Sequence, residues 1–286
     1  MRIVLFGLTG YTNEVLDAIR ADGRLELGAV FTRCYDAPYP YYPIPQIHEV
    51  CAELGIPCHT NLRVTSGTGL EMVRGYDPEM ILMTGFDQIL AEPLLDLPRL
   101  GVVNMHPSLL PRFRGPDPIQ AALLGEAIET GVTYHYAVPE VDAGNILIQR
   151  TYPIRRDETN ASLRLGLARL AASCLPQLID LFECGVRPVG MRQEVRPTPR
   201  TQRIVKPVSL DQSLGLHELH KIVRAVVPYP GATVRVGGVD RIVNSSTLIE
   251  RTSVAGTDNA STDGDGRITW ERDGARLVLT LDQPGK

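Results

Sequence analysis

The alternation of short apolar runs with amphipathic segments in the first third of the chain limits the folds open to it more than any other feature. Arg2 to Phe6 reads as a buried parallel strand, Gly7-Leu8-Thr9-Gly10 turns the chain, and an amphipathic helix follows near Glu14 to Asp22. The rhythm continues with a strand at Leu25 to Phe31, a helix at Ile47 to Leu54, a short strand at Ile56 to Cys58, a weak helix at Gly69 to Arg74 and a strand at Met80 to Thr84. Parallel strands need crossovers, and crossovers put helices on both faces. The order therefore specifies an α/β, Rossmann-like doubly wound and mostly parallel sheet. With 286 residues, 43% of them apolar, the chain can close a full core and has length for two domains. The G-x-x-G spacing lacks the full dinucleotide fingerprint, which favours a tight turn over a phosphate site.

The next informative stretch runs from Gly101 to Gly115. A short apolar strand, Val102 and Val103, stops at Asn104 and His106, and Pro107 and Pro111 forbid a regular continuation. In open parallel sheets ligands bind beyond the carboxyl ends of the strands. Residues two apart on a strand share a face, so this carboxamide and imidazole can converge on one reacting group; a satisfied Asn and His in a loop is the plain alternative. A helix at Pro118 to Leu124 follows, then a strand at Val132 to Val138 carrying His135, a loop at Pro139 to Gly144 carrying Asp142, a returning strand at Asn145 to Thr151 and a long helix at Ala161 to Glu183. His106 and Asp142 are far apart in sequence, so only a fold that gathers them makes a pair. His135 is either a second site residue or a half-buried strand histidine with a local partner.

Asn104-x-His106, Pro107-Ser108-Leu109-Leu110-Pro111, Gly115 and Asp142 in V-D-A-G together resemble the signature of the 10-formyltetrahydrofolate-dependent formyltransferases. That family includes enzymes acting on methionyl-tRNA, glycinamide ribonucleotide and amino sugars, and hydrolase domains acting on formyltetrahydrofolate. I-V-L-F-G, L-G-I-P, G-F-D-Q-I-L, I-E-T-G-V-T-Y-H and P-Y-P-G-A fall in family order, so the likeness spans most of the chain. It implies 10-formyltetrahydrofolate as cosubstrate and Asn104, His106 and Asp142 as catalytic residues. It also implies a folate pocket with Phe86, Ile89, Leu90, His135 and Val141, and a substrate loop of Ser108, Leu109, Leu110, Pro111, Arg112 and Gly115. Formyl transfer needs an oxyanion donor and a route for protons from the amine to the departing folate nitrogen. Asn104 is the donor. His106 either shuttles the proton or, if protonated, helps hold the oxyanion, and Asp142 orients the imidazole, raises its basicity or fixes a relaying water. Neither a metal nor a covalent acyl-enzyme is required, and Ser108 is expected to shape the loop.

The segment Cys34 to Pro45 holds four tyrosines and four prolines in twelve residues. In tRNA formyltransferases the matching stretch is typically a basic insertion that helps hold the tRNA; here Tyr39 and Tyr41 offer flat area for stacking on a base or sugar, or pack on their own loop. Val186 to Pro207 is a proline- and arginine-rich linker in which Arg187, Arg192, Arg196, Arg200, Arg203 and Lys206 face only Glu194. Such a run contacts phosphate or, more commonly, is a solvated connector. Beyond it come a helix at Gly215 to Val227 and strands near Thr233 to Val236, Arg241 to Ile249, Arg267 to Trp270 and Arg276 to Leu281, with a flexible loop from Thr252 to Gly266. These suggest a small β-barrel, like the OB-like C-terminal domain of tRNA and amino-sugar formyltransferases. The division expected is a catalytic domain at 1–185 able to fold alone, a linker at 186–207 and a C-terminal domain at 208–286. His217 and His220 lack the zinc-motif spacing and are read as helix surface.

Five cysteines without a C-x-x-C pair, no signal-like start and no long apolar run point to a reduced, cytoplasmic setting with no membrane partner. The net charge of −4 gives no global attraction for a polyanion. Three functions stay open, in this order. The first is formyl transfer to a small amine, a nucleotide-linked amino sugar foremost. The second is formylation of methionyl-tRNA, supported by the C-terminal domain and basic linker. The third is a hydrolase or folate-binding module; such hydrolases usually carry an N-terminal regulatory domain, whereas this chain starts directly at the first strand. A homodimer is also open.

Overall fold

The computed structural model describes residues 1–193, 201–250, 259–262, 266–272 and 274–282. The chain divides into two compact units. One is formed by 1–118, 129–153 and 164–201, the other by 119–128, 154–163 and 202–286.

The first unit alternates strand and helix as expected: β1 (Arg2–Gly7), α1 (Tyr11–Asp22), β2 (Glu26–Thr32), α2 (Ile47–Leu54), β3 (Cys58–Thr60), α3 (Gly67–Gly75), β4 (Met80–Thr84), α4 (Glu92–Leu95) and β5 (Val102–His106). Helix α1 ends on Gly23 in the left-handed region at φ 71°, and α2 ends on Gly55 at φ 66°. Both are stops that glycine takes without a Cβ clash. After α5 (Pro118–Leu124) come β6 (Glu129–Tyr136), β7 (Ile146–Pro153) and α6 (Asn160–Asp180). The seven strands lie in the order β3-β2-β1-β4-β5-β6-β7. The first five run parallel, β6 pairs antiparallel with β5 and β7 antiparallel with β6, so the sheet is Rossmann-like and mostly parallel. Strands β1 and β4, buried on both faces, are apolar without alternation. No described helix is long and apolar enough to cross a membrane.

The second unit holds β8 (Val208–Ser209), α7 (Leu216–Val226), β9 (Ala232–Val236), β10 (Val239–Glu250), β11 (Asn259–Thr262), β12 (Arg267–Arg272) and β13 (Ala275–Leu281). They form a six-stranded sheet in the order β11-β12-β13-β10-β9-β8. Among the described residues no ladder joins β8 to β11.

Several expectations are corrected. Part of the loop expected at Thr252 to Gly266 is a strand, β11, paired with β12; residues 252–258 and 263–265 lie outside the described residues, as do Glu194, Arg196 and Arg200 of the linker. His220 is not a surface residue. Half-buried on α7, its Nδ1 meets Ser246 Oγ at 2.8 Å, and burial pushes its pKa down to about 4.

Candidate active site

The β5–β6 ladder sets Asn104 directly opposite His135. His135 Nδ1 lies 2.9 Å from the Tyr136 carbonyl. A carbonyl only accepts, so Nδ1 carries the proton and Nε2 is left as an acceptor. It receives the Asn104 carboxamide, Nδ2 to Nε2 at 3.1 Å. The other Asn104 N–H faces Asp142 Oδ1 at 3.4 Å, a long contact. His135 therefore fixes which way the carboxamide points.

Asp142 comes from the β6–β7 connection, which folds back to reach β5. Its Oδ2 accepts the Gly115 N–H at 2.8 Å and lies 3.5 Å from His106 Nδ1, while its Oδ1 lies 3.6 Å from His135 Nε2. His106, 5% exposed, donates from Nε2 to the Phe113 carbonyl at 2.9 Å. A proton taken up at Nδ1 would thus be shared with Asp142. The carboxylate is a hub on which one amide, one carboxamide and two imidazoles converge.

The loop from Pro107 to Gly115 is held by its own polar groups. Ser108 is fully buried, its Oγ donates to the Arg112 carbonyl at 2.6 Å, and Thr133 Oγ1 donates to the Ser108 carbonyl at 2.6 Å. Gln149 donates to the Leu110 carbonyl at 2.9 Å. The Ser108 hydroxyl and carbonyl are thus both engaged in holding this loop. Leu110 is buried and Leu109 and Pro111 are half-buried, whereas Arg112 is exposed, 5.4 Å over the Phe113 ring.

The other expected residues lie outside this hydrogen-bonded hub. Leu90 belongs to the apolar cluster that includes Val102 and Phe31, with Phe86 packed against it and its ring 5.0 Å from that of Phe6. Ile89 is 75% exposed, and Val141 is half-buried beside Asp142. Tyr39 and Tyr41 join a separate cluster: their rings are 5.3 Å apart, and the Arg164 guanidinium lies 3.9 Å over Tyr41 while pairing with Asp117 at 2.8 Å.

Sequence reasoning missed two residues here. Arg114 is buried, with Nε and Nη2 donating to Gln193 Oε1 at 3.1 and 2.7 Å. Gln193 in turn donates from Nε2 to the carbonyls of Asp142 and Gly144. This part of the linker is bonded to the site and is not a solvated connector. A lone glutamine in a Pro/Arg-rich run carries no periodic signal that marks it.

Burial drives the His135 pKa from 6.5 down to about 4; Asp142 opposes the shift and His106 adds to it. The unfolded chain therefore binds this proton near pH 6.5 and the folded chain not until near pH 4. Stability is full above about 6.5 and is lost as the pH falls towards 4, by roughly 3 kcal/mol. Urea unfolding at pH 7 and 4.5 should show a smaller difference in His135→Gln than in wild type; an unchanged difference would refute the neutral, buried state.

A family model described as formyl transferase matches residues 60–179, which contain Asn104, His106, His135 and Asp142. Methionyl-tRNA formyltransferase of Ectopseudomonas mendocina is 31% identical over 290 residues, covering all of this chain and 91% of that protein. This chain belongs to the formyltetrahydrofolate-dependent formyltransferases. As a member of that family it is a transferase whose cosubstrate is a formyl-folate. Among solved structures it is similar to WlaRD, a sugar 3N-formyl transferase, with TM-score 0.71 and 16% identity over 100% of this chain and 98% of that one. It is also similar to HypX from Aquifex aeolicus, with TM-score 0.68 and 17% identity; there it covers the whole of this chain but spans 46% of that one. Both likenesses are of fold alone.

Proposed function

We propose that this formyltransferase moves the formyl group of 10-formyltetrahydrofolate to the primary amine of a small acceptor, nucleotide-linked amino sugars being the leading class. In this reading the amine attacks the formyl carbon, Asn104 Nδ2–H receives the developing oxyanion, His106 carries the proton released by the amine to folate N10 as the bond from the formyl carbon to N10 breaks, and Asp142 orients that imidazole. The site suits this chemistry: one Asn104 N–H is committed to His135, and the other, held only at 3.4 Å by Asp142, is the one to be turned to substrate. Leu90, Phe86 and Val141 would line the folate side, and the second sheet would be the OB-like module.

The observation that carries the small acceptor is the Cys34–Pro45 loop. It has no basic side chain, and its Tyr41 ring is covered by Arg164, a cation of the same unit already paired with Asp117. Phosphate contacts dominate nucleic-acid affinity, and this loop offers none. Methionyl-tRNA is the second reading, favoured by the name of the 31% identical relative. The test is formylation, at moderate salt, of methionyl-tRNA beside a panel of nucleotide-linked amino sugars and small amines. Turnover of small amines is expected. Efficient, strongly salt-dependent turnover of the tRNA with no activity on the amines would reverse the order.

A further inference from the structure

We propose that Gln193 is a positioning residue that sets the backbone of Asp142 and so keeps its carboxylate on His106 and Gly115. The role assigned to Asp142 rests on the formyl-transfer reading above; the geometric link does not. Asp142 stands at φ 55°, in the left-handed region that a residue with a Cβ enters at a cost and keeps where its surroundings hold it. Two contacts hold it from opposite ends. Its carboxylate takes the Gly115 N–H at 2.8 Å, and its carbonyl takes Gln193 Nε2 at 2.9 Å.

The same Nε2 reaches the Gly144 carbonyl at 2.7 Å, so both amide hydrogens of one side chain brace the turn on either side of Ala143. The turn has no slack on its other side, since a Cβ at Gly144 would sit 1.9 Å from the Tyr136 carbonyl. Gln193 Oε1, meanwhile, is anchored by Arg114, the residue next to Gly115. One carboxamide thus ties the loop carrying Asp142 to the loop carrying its amide partner. Neither a carboxylate nor an aliphatic side chain reproduces the donor half of this arrangement.

The substitution that separates the two halves is Gln193→Glu, which keeps an acceptor for Arg114 and removes both donors; Gln193→Leu removes everything. The first measurement is amide hydrogen exchange at Gly115 by NMR. Its N–H is protected only while Asp142 stays in place, so exchange should accelerate about tenfold or more in Gln193→Glu with little loss of melting temperature. The second is kcat for formyl transfer to the best acceptor, expected to fall at least tenfold in the same variant. Adding Gln193→Glu to Asp142→Asn should change kcat less than about twofold, because a residue acting through Asp142 has nothing left to position. Unaltered Gly115 exchange in both variants would overturn the proposal. Faster exchange with wild-type kcat would keep the positioning and sink the catalytic reading of Asp142.

Discussion

Asn104→Ala is expected to lower kcat by about 100- to 1000-fold while leaving formyl-folate binding in place. The magnitude is that of removing one preorganised oxyanion donor, whose contribution is made in the transition state and not in the ground state. The alanine also leaves His135 Nε2, now an acceptor for Asn104 at 3.1 Å, without that donor in a buried site. Some loss of stability, about 1–2 kcal/mol, should accompany the loss of rate. Asn104→Asp keeps the shape, but its carboxylate can donate neither to the oxyanion nor to His135 Nε2 and would face Asp142, so it should be at least as inactive and no more stable. Initial rates with the best acceptor, beside calorimetric titration with a stable formyl-folate, read both quantities. Near-normal turnover of Asn104→Ala would remove Asn104 from the mechanism.

Asp142→Asn should cost on the order of 1000-fold or more in turnover with only a modest change in melting temperature. Asparagine tolerates the left-handed conformation that the aspartate adopts at φ 55° and can still accept the Gly115 N–H, so the loop should survive. What disappears is the negative charge 3.5 Å from His106 Nδ1. In catalytic triads the same exchange beside a histidine leaves geometry intact and removes most of the rate. Asp142→Ala should lose activity and also stability, because the Gly115 amide is then unpaired. Equal rates for wild type and Asp142→Asn across pH 6 to 9 would show that the charge plays no part.

The regular elements were legible where local signals agree with tertiary context. Helix α2 begins and ends where it is expected, at Ile47 and Leu54, because Glu49 bonds back to the Gln46 N–H at 2.8 Å and Gly55 closes the far end. Strand β4 and helix α5 also match their expected bounds. The misses are elements too short for any periodicity to show. Strand β8 is two residues long and β11 four, and each exists through its ladder to a neighbouring strand.

In the site, Asn104, His106 and Asp142 were legible as a motif, and the fold brings their side chains together. The tie from Gln193 was not, since a hydrogen bond between a side chain and a carbonyl 51 positions earlier leaves no trace in spacing. Tyr39 and Tyr41 show the converse. Their composition advertises flat contact surface, and only the structure reveals that Arg164 already occupies part of it.

Every side chain in the hub, from Asn104 and His106 through His135 and Asp142 to Gln193, belongs to the unit formed by 1–118, 129–153 and 164–201. None of these contacts is made by a residue of 202–286. Variation in the loops and surface charge of that segment therefore removes no side chain from the hub, and the hub can be inherited whole while 202–286 diverges.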